Sequence, residues 1–433
     1  MKILLVGNGA REHIIAEQIA RSAELYAIMS KKNPGIAKLA QKYYLTNITN
    51  PEAVGLWAIK EDIDLAFISP DAVLAAGMSD ALENADIPIA SPVKAAAKIE
   101  WDKSYARNLM KKYSISGSPN FELVKTKKDA IRVIKDFCEV AVKPIGLSGG
   151  KGVKVSCDHL KNTEEAIAYA CELLKKDKQV LIEEKIIGEE FSLQLFSDGK
   201  RISLMPPVQD HKRAYNNDCG PNTGGMGSYS TGRLLPFMHQ NDIEQGRSIS
   251  QTIIDALRKE DAQFKGVLYT QLMCTRDGVK LIEFNSRFGD PEAINVLSLL
   301  KTQFVEILQS IADENLCRTS FSENATVVKY LVPTGYPDNP IQNSEIFIDE
   351  KKIWDCGAKY YHASVYEDKG KIYTTNSRAI AVVGTNNSLE NAEEKAEEAI
   401  RYVRGQLWHR KDVGTYSLVQ RRIENMRKLR QGI

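Results

Sequence analysis

The chain opens on an unbroken apolar run, KILLVG at residues 2–7, followed at once by GNG and a helical pattern from Arg11 to Ala23. A run without polar alternation is what a strand buried on both faces requires, and a glycine turn leading straight into a helix begins a β-loop-α unit. The same strand signal returns in LYAIMS (25–30), DLAFISP (64–70) and IPIASP (87–92), separated by helix-compatible stretches such as 72–85. The first ninety residues are therefore expected to form a small parallel α/β sheet.

A long helix is expected from about Val93 to Tyr113, after which the rhythm changes. FELV (121–124), a helix at 127–136, VAVKPI (140–145), a glycine-rich loop, GVKVS (152–156), a helix near 163–177 and QVLIEE (179–184) alternate closely, as in a second α/β unit. GEEFSLQLF (188–196), a long loop to about residue 232, a helix near 241–259 and two strands, 266–274 and 278–285, follow; TRDG between the strands predicts a hairpin. Beyond residue 320, ATVVKYLVP, KYYHASVYE and RAIAVVG read as strands and 388–407 as a helix, an α+β piece. The basic tail RRIENMRKLR (421–430) reads as a solvated helix face.

Composition narrows the function. The 433 residues carry 58 basic and 56 acidic side chains, so the whole molecule lacks the positive field of a duplex-binding or peripheral membrane protein, and any charge-driven function must be local. Seven cysteines without a CxxC pair argue against structural zinc and suit free thiols in a reducing compartment, hence the cytoplasm. The apolar run before Asn8 and Arg11 is too short for a signal peptide or membrane span.

Five segments carry chemistry. GNGAREH (7–13) has strand-glycine-helix geometry suited to a phosphate, although a tight packing turn explains it equally well, and Glu12 stands where a dinucleotide fingerprint needs its third glycine. Lys143 followed by GLSGGKG (146–152) can clamp nucleotide phosphates with ammonium and amides, without the Walker A spacing. IEEKIIGEEF (182–191) can read an adenine edge and a ribose, or be a solvated acidic turn. The loop 209–230, with Asp210, His211, Lys212, Arg213 and GPNTGGMG, is too long and glycine-rich for a connector; His211 is not assigned catalysis. In LIEFNSRFGDPE (281–292), Glu283 and Asn285 share one face of a strand near Gln271, a hard-cation donor set beside Arg287, which suits two-point contact with an anion.

Taken in order, these motifs resemble the phosphoribosylamine–glycine ligase family, ATP-grasp enzymes of purine biosynthesis, from residue 1 to RKDVG at 410–414. The resemblance implies a multidomain α/β and α+β fold: a parallel α/β domain at 1–100, an ATP-grasp domain at 101–318 with a lid-like subdomain at about 118–187, and a C-terminal α+β domain at 319–433. It puts ATP on Lys103, Lys143, Gly149, Gly150, Lys151 and Gly152, with Glu183, Glu184, Lys185 and Ile186 at the adenine and Glu190 at the ribose. It gives Mg2+ or Mn2+ to Gln271, Glu283 and Asn285. Phosphoribosylamine and glycine fall to Asn8, Gly9, Arg11, Asp71, Asp210, Lys212, Asn222, Thr223, Gly224, Arg287 and Asp290, with Arg287 and Lys143 catalytic. The implied enzyme is a cytoplasmic monomer that binds neither nucleic acid nor membrane. Departures from the family pattern are Ala10 for glycine, SPD (69–71) for GPE, GLSGGKGV for GLAAGKGV, HASV (362–365) for HAGT and Asn376-Ser377-Arg378 for NGGR. Rival readings are another ATP-grasp carboxylate–amine ligase and, from the GNG turn, a dinucleotide-dependent oxidoreductase.

Overall fold

The computed structural model describes residues 1–146 and 152–432. The strand Lys2–Val6 lies inside a four-stranded parallel sheet, between Glu24–Met29 and Leu65–Ile68, with Lys42–Leu45 on the outer edge. Its alternate residues go to opposite cores: Leu4 and Val6 pack under the helices of 51–83, while Ile3 and Leu5 join a core shared with the helices Glu292–Leu299 and Phe304–Ala312. That double burial is the cause of the unbroken apolar run. IPIASP supplies only the single bridge Ile89 to Ala66 instead of a full strand, because Pro88 and Pro92 have no N–H for a ladder. The edge strand KYYL, exposed throughout, has no alternation by which to read it.

The helix expected over Val93 to Tyr113 is two, Lys94–Trp101 and Lys103–Lys112, broken at Asp102. The Asp102 carboxylate accepts from the Tyr105 amide as an N-cap, so the second helix starts afresh with Lys103 in its first turn. Next comes a four-stranded antiparallel sheet in the order Phe121–Val124, Val180–Glu184, Val140–Pro144, Lys154–Val155, with the helices Lys127–Phe137 and Thr163–Lys176 on one face and a core of its own. A second antiparallel sheet runs Ile202–Leu204, Glu189–Asp198, Lys265–Thr275, Gly278–Asn285, packed on the helix Gln240–Lys259.

The loop expected to about residue 232 holds five short strands, Ile202–Leu204 among them. Two of them, Gln209–Asp210 and Gly227–Ser230, extend a six-stranded sheet otherwise built from Ala325–Pro333, Ile380–Asn386, Ala358–His362 and Leu407–His409. KYYHASVYE is not one strand but two in different sheets, since Ala363 and Ser364 turn aside to bond Ala379 and Arg378. The helix expected at 388–407 stops at Ile400, and Val403–Arg404 and Leu407–His409 instead satisfy sheet edges. The basic tail is also corrected. Within the helix Tyr416–Gln431, Arg422 meets Asp218 at 2.6 Å and Glu189 at 3.3 Å, Arg430 meets Asp242 at 2.6 Å, and Met426 is buried. Among the described residues no helix is long and apolar enough to cross a membrane.

Candidate active site

Along Val140–Pro144 the valines enter the core of their own sheet and Lys143 faces the other way, into a cleft between the two antiparallel sheets. Its Nζ lies 2.7 Å from Glu183 Oε2 and 3.4 Å from the Ile282 carbonyl. Glu183, itself buried, also takes a two-point contact from Arg107, at 2.5 and 3.1 Å. Burial alone would raise the Glu183 pKa, but Arg107 and Lys143 hold it below the ordinary value, so the site carries a fixed anion. Glu183 was expected at the adenine; its carboxylate is committed to these two cations. Glu184 accepts from the Asn120 amide and side chain, Lys185 donates to the Ser156 carbonyl at 2.8 Å, and Ile186 is half-buried. Lys103 donates to the Gly146 carbonyl at 3.2 Å; burial lowers its pKa against the pull of Glu283. Gly149, Gly150 and Lys151 lie outside the described residues, while the Gly152 carbonyl accepts from Tyr169 at 2.8 Å.

The expected one-sided placement of Glu283 and Asn285 depends on a bulge. Gln271 pairs with Glu283 but Leu272 pairs with Leu281, leaving Ile282 as an extra residue. Val279 and Leu281 point into the core, and unbroken alternation would send Glu283 after them. The extra residue shifts the phase, so Phe284 is buried in the core and Glu283 lines the cleft. Burial raises the Glu283 pKa, yet Lys212, Lys103, Lys143 and Arg287 together bring it below the ordinary value. Asn285 Oδ1 accepts from Arg287 at 3.2 Å. Gln271 joins a different network: its oxygen accepts from Tyr269 and its amide donates to Glu190 at 2.9 Å. Among the described residues no cluster of three or more His, Cys, Asp or Glu is poised for a metal. One carboxylate and one amide oxygen on a common face still fit a hard cation whose remaining ligands are phosphate oxygens and water.

On the far side of the cleft Lys212 lies 3.2 Å from Glu190 and 3.9 Å from Asp210, and those acids keep its pKa raised despite burial. Burial raises Asp210, and burial together with Asp210 raises Glu292 to about 7. The glycine-rich segment after them is built, not slack. Thr223 caps back to the Lys212 carbonyl, Asn222 reaches His159, in the turn after Lys154–Val155, at 3.4 Å, and Arg378 donates to the Gly224 and Gly225 carbonyls at 2.7 and 3.0 Å. A Cβ at Gly225, where φ is +105°, would stand 2.7 Å from Pro291, so only glycine fits there. Arg378 also pairs with Asp290 at 2.7 Å and covers the Tyr330 ring, whose hydroxyl meets Asp290. His211 is buried with neither ring nitrogen bonded, and burial beside Arg410 and Arg422 lowers its pKa to about 3, so it is neutral.

The N-terminal turn completes the site. Glu12, at the position of the missing third glycine, accepts from the Gly9 amide at 2.6 Å, from Ser69 at 2.6 Å and from Arg11 at 2.7 Å. Arg11 then reaches the Phe288 carbonyl at 2.9 Å, docking the turn on the loop that carries Arg287. Asn8 accepts from Ser30 at 2.8 Å, and Asn33 bridges the carbonyls of Asn8 and His362. Arg287 pairs with buried Glu100 at 2.8 Å, and Asp71 is close enough for its charge to raise the pKa values of both. Sequence reasoning missed Arg107, Glu100, Glu12, Glu292 and the carbonyl-binding role of Arg378.

Two antiparallel sheets meeting at a cleft, a lysine strand on one and an acid–amide strand on the other, define an ATP-grasp protein; enzymes of this class use ATP. Residues 1–100, 101–293 and 326–416 match the N domain, the ATP-grasp (A) domain and the C domain of phosphoribosylglycinamide synthetase. The chain belongs to this family. It is 51% identical over 441 residues to the phosphoribosylamine–glycine ligase of Methanosarcina acetivorans, covering 100% of this chain and 99% of that one. With the Thermococcus kodakarensis enzyme of the same name it shares 48% over 432 residues, covering 99% and 100%. The crystal structure of the Thermotoga maritima phosphoribosylamine–glycine ligase superposes with a TM-score of 0.81 at 27% identity, covering 95% of this chain and 100% of that one. A Hydrogenobacter thermophilus biotin carboxylase domain, 15% identical with a TM-score of 0.71 and covering 100% and 95%, shares the fold.

Proposed function

We propose that this chain joins glycine to 5-phosphoribosylamine at the expense of ATP, giving glycinamide ribonucleotide, ADP and phosphate in purine biosynthesis. The observation that carries the reading is the cleft itself, where Lys103, Lys143, Lys212 and Arg287 all act on half-buried Glu283 beside the bolted glycine loop 220–227. Such a site neutralises a polyanion and seats a second, smaller anion next to it. The glycine carboxylate attacks the γ-phosphorus, forming an O–P bond as the bond to ADP breaks. The amine of phosphoribosylamine then attacks the glycyl phosphate carbonyl, forming C–N and expelling phosphate, and the amine loses a proton.

No side-chain nucleophile is needed, so the protein contributes alignment, charge and dryness. Lys103 and Lys143 face the phosphates. Arg287, with Glu100 fixing its guanidinium, faces the glycine carboxylate. Asn8, Gly9, Arg11 and Asp71 border the phosphoribosylamine side, and Asp210, Lys212 and the segment Asn222 to Gly224 close the cleft over both substrates. Glu190 would take a ribose hydroxyl. Glu283 and Asn285 would hold Mg2+ or Mn2+, which supplies further neutralisation of the triphosphate when bound. We read the enzyme as a cytoplasmic monomer, its phosphorylated substrates suiting that compartment. ADP release should require ATP, glycine and phosphoribosylamine together, measured by coupled assay of the purified protein. Equal turnover with glycine omitted would sink the assignment.

A further inference from the structure

Arg107 lies between the two sheets of the ATP-grasp unit and is bonded to both. Toward the lid sheet its Nε and Nη2 grip Glu183, which in turn holds Lys143 at 2.7 Å. Toward the other sheet the same Nη2 donates to the carbonyls of Leu281 at 3.2 Å and Ile282 at 2.9 Å, the two residues that frame the bulge before Glu283. The Ile282 carbonyl also takes Lys143 at 3.4 Å, so guanidinium, carboxylate, ammonium and bulge carbonyl form a closed ring. Arg107 and Glu183 are almost fully buried, and the helix that carries Arg107 also carries Lys103 one turn earlier.

We propose that Arg107 is a positioning residue for the nucleotide. It sets the phosphate-facing lysine, through Glu183, at a fixed distance from the bulged strand, and so holds the two halves of the triphosphate site in register. A planar fork with several donors is needed for this, because one group must satisfy two carboxylate oxygens and two carbonyls at once. Lysine has the charge but not the geometry. A residue that merely neutralised a buried carboxylate would be replaceable by any cation. The proposal rests on the reading of Lys143 as a phosphate ligand.

The test is steady-state kinetics of Arg107→Lys in the full-length enzyme, with ATP, glycine and phosphoribosylamine varied in turn. The expected result is a KM for ATP raised about tenfold or more, with the KM for glycine within about twofold of the parent value. An unchanged KM for ATP overturns the proposal even if kcat falls, since a smaller folded fraction lowers kcat alone. Should Arg107→Lys show no cooperative thermal transition, Glu183→Asp draws the carboxylate one methylene away from Lys143 and must raise the KM for ATP likewise; an unchanged value there overturns the proposal too. Lys143→Met separates the two readings. If that variant binds ATP like the parent, the phosphate role of Lys143 fails and the proposal with it, whereas weakened ATP binding there with no effect at Arg107 or Glu183 removes the proposal alone.

Discussion

Glu283 is one half-buried carboxylate acted on by four cations, and its surroundings keep it ionised. Glu283→Gln preserves shape and removes the charge, leaving Lys103, Lys143, Lys212 and Arg287 without their shared counter-ion. We expect kcat to fall by at least about a hundredfold, the scale of losing one well-placed electrostatic group. Steady-state kinetics over a range of Mg2+ concentrations checks this, and a variant within tenfold of the parent at every concentration refutes it. Glu283 and Asn285 were legible because two polar oxygens at i and i+2 on an otherwise apolar strand have few bland explanations. Arg107 was not, because its meaning lies in Glu183 and the Leu281 and Ile282 carbonyls, far along the chain and visible only once folded. The bulge at Ile282 was hidden for another reason: one extra residue in an alternating run leaves the composition unchanged while reversing every face after it.

At the level of elements the C-terminal helix shows how a charged segment misleads. Counted alone, its arginines describe a solvated face; in place, Asp218 receives Arg410, Arg421 and Arg422, and Glu189 receives Arg422 and Asn425. Burial works to raise the Asp218 carboxyl, but Arg422 and Arg410 bring it down to about 2 from 3.8. A carboxylate lowered on folding stabilises the folded state fully above its unfolded pKa, and that contribution is lost as pH falls through the folded value. The helix should therefore loosen between about pH 4 and pH 2, at a cost of about 1–2 kcal/mol once partial exposure screens the pairs. Thermal midpoints measured across this range should fall more steeply for the parent than for Asp218→Asn, which should already be less stable at neutral pH. Parallel slopes for the two proteins would exclude Asp218 as the anchor.

For the molecule as a whole, the boundary expected at residue 319 meets a sheet that ignores it. The strands Gln209–Asp210 and Gly227–Ser230 come from the central part of the chain, yet they continue the sheet of Ala325–Pro333 and Ile380–Asn386. Strand pairing across a long sequence separation leaves no local pattern, which is why the segment read only as an unusual loop. A fragment of residues 319–433 should accordingly lack a sheet edge and fail to give a dispersed amide NMR spectrum by itself. A cooperative, well-dispersed spectrum from that fragment would show the sharing to be dispensable.

The shared sheet also sets an order in time. Gly227–Ser230 leaves the ribosome roughly a hundred residues before its partner Ala325–Pro333, a lag of about 5–20 s at ordinary elongation rates of ~5–20 residues per second. Through that interval the glycine-rich segment has neither its neighbouring strand nor Arg378 to fasten it. A chain cut short by stalled translation before residue 378 therefore carries both antiparallel sheets of the ATP-grasp unit but an unfastened glycine loop. Premature release should give a chain that lacks the contacts by which Arg378 fixes the Gly224 and Gly225 carbonyls.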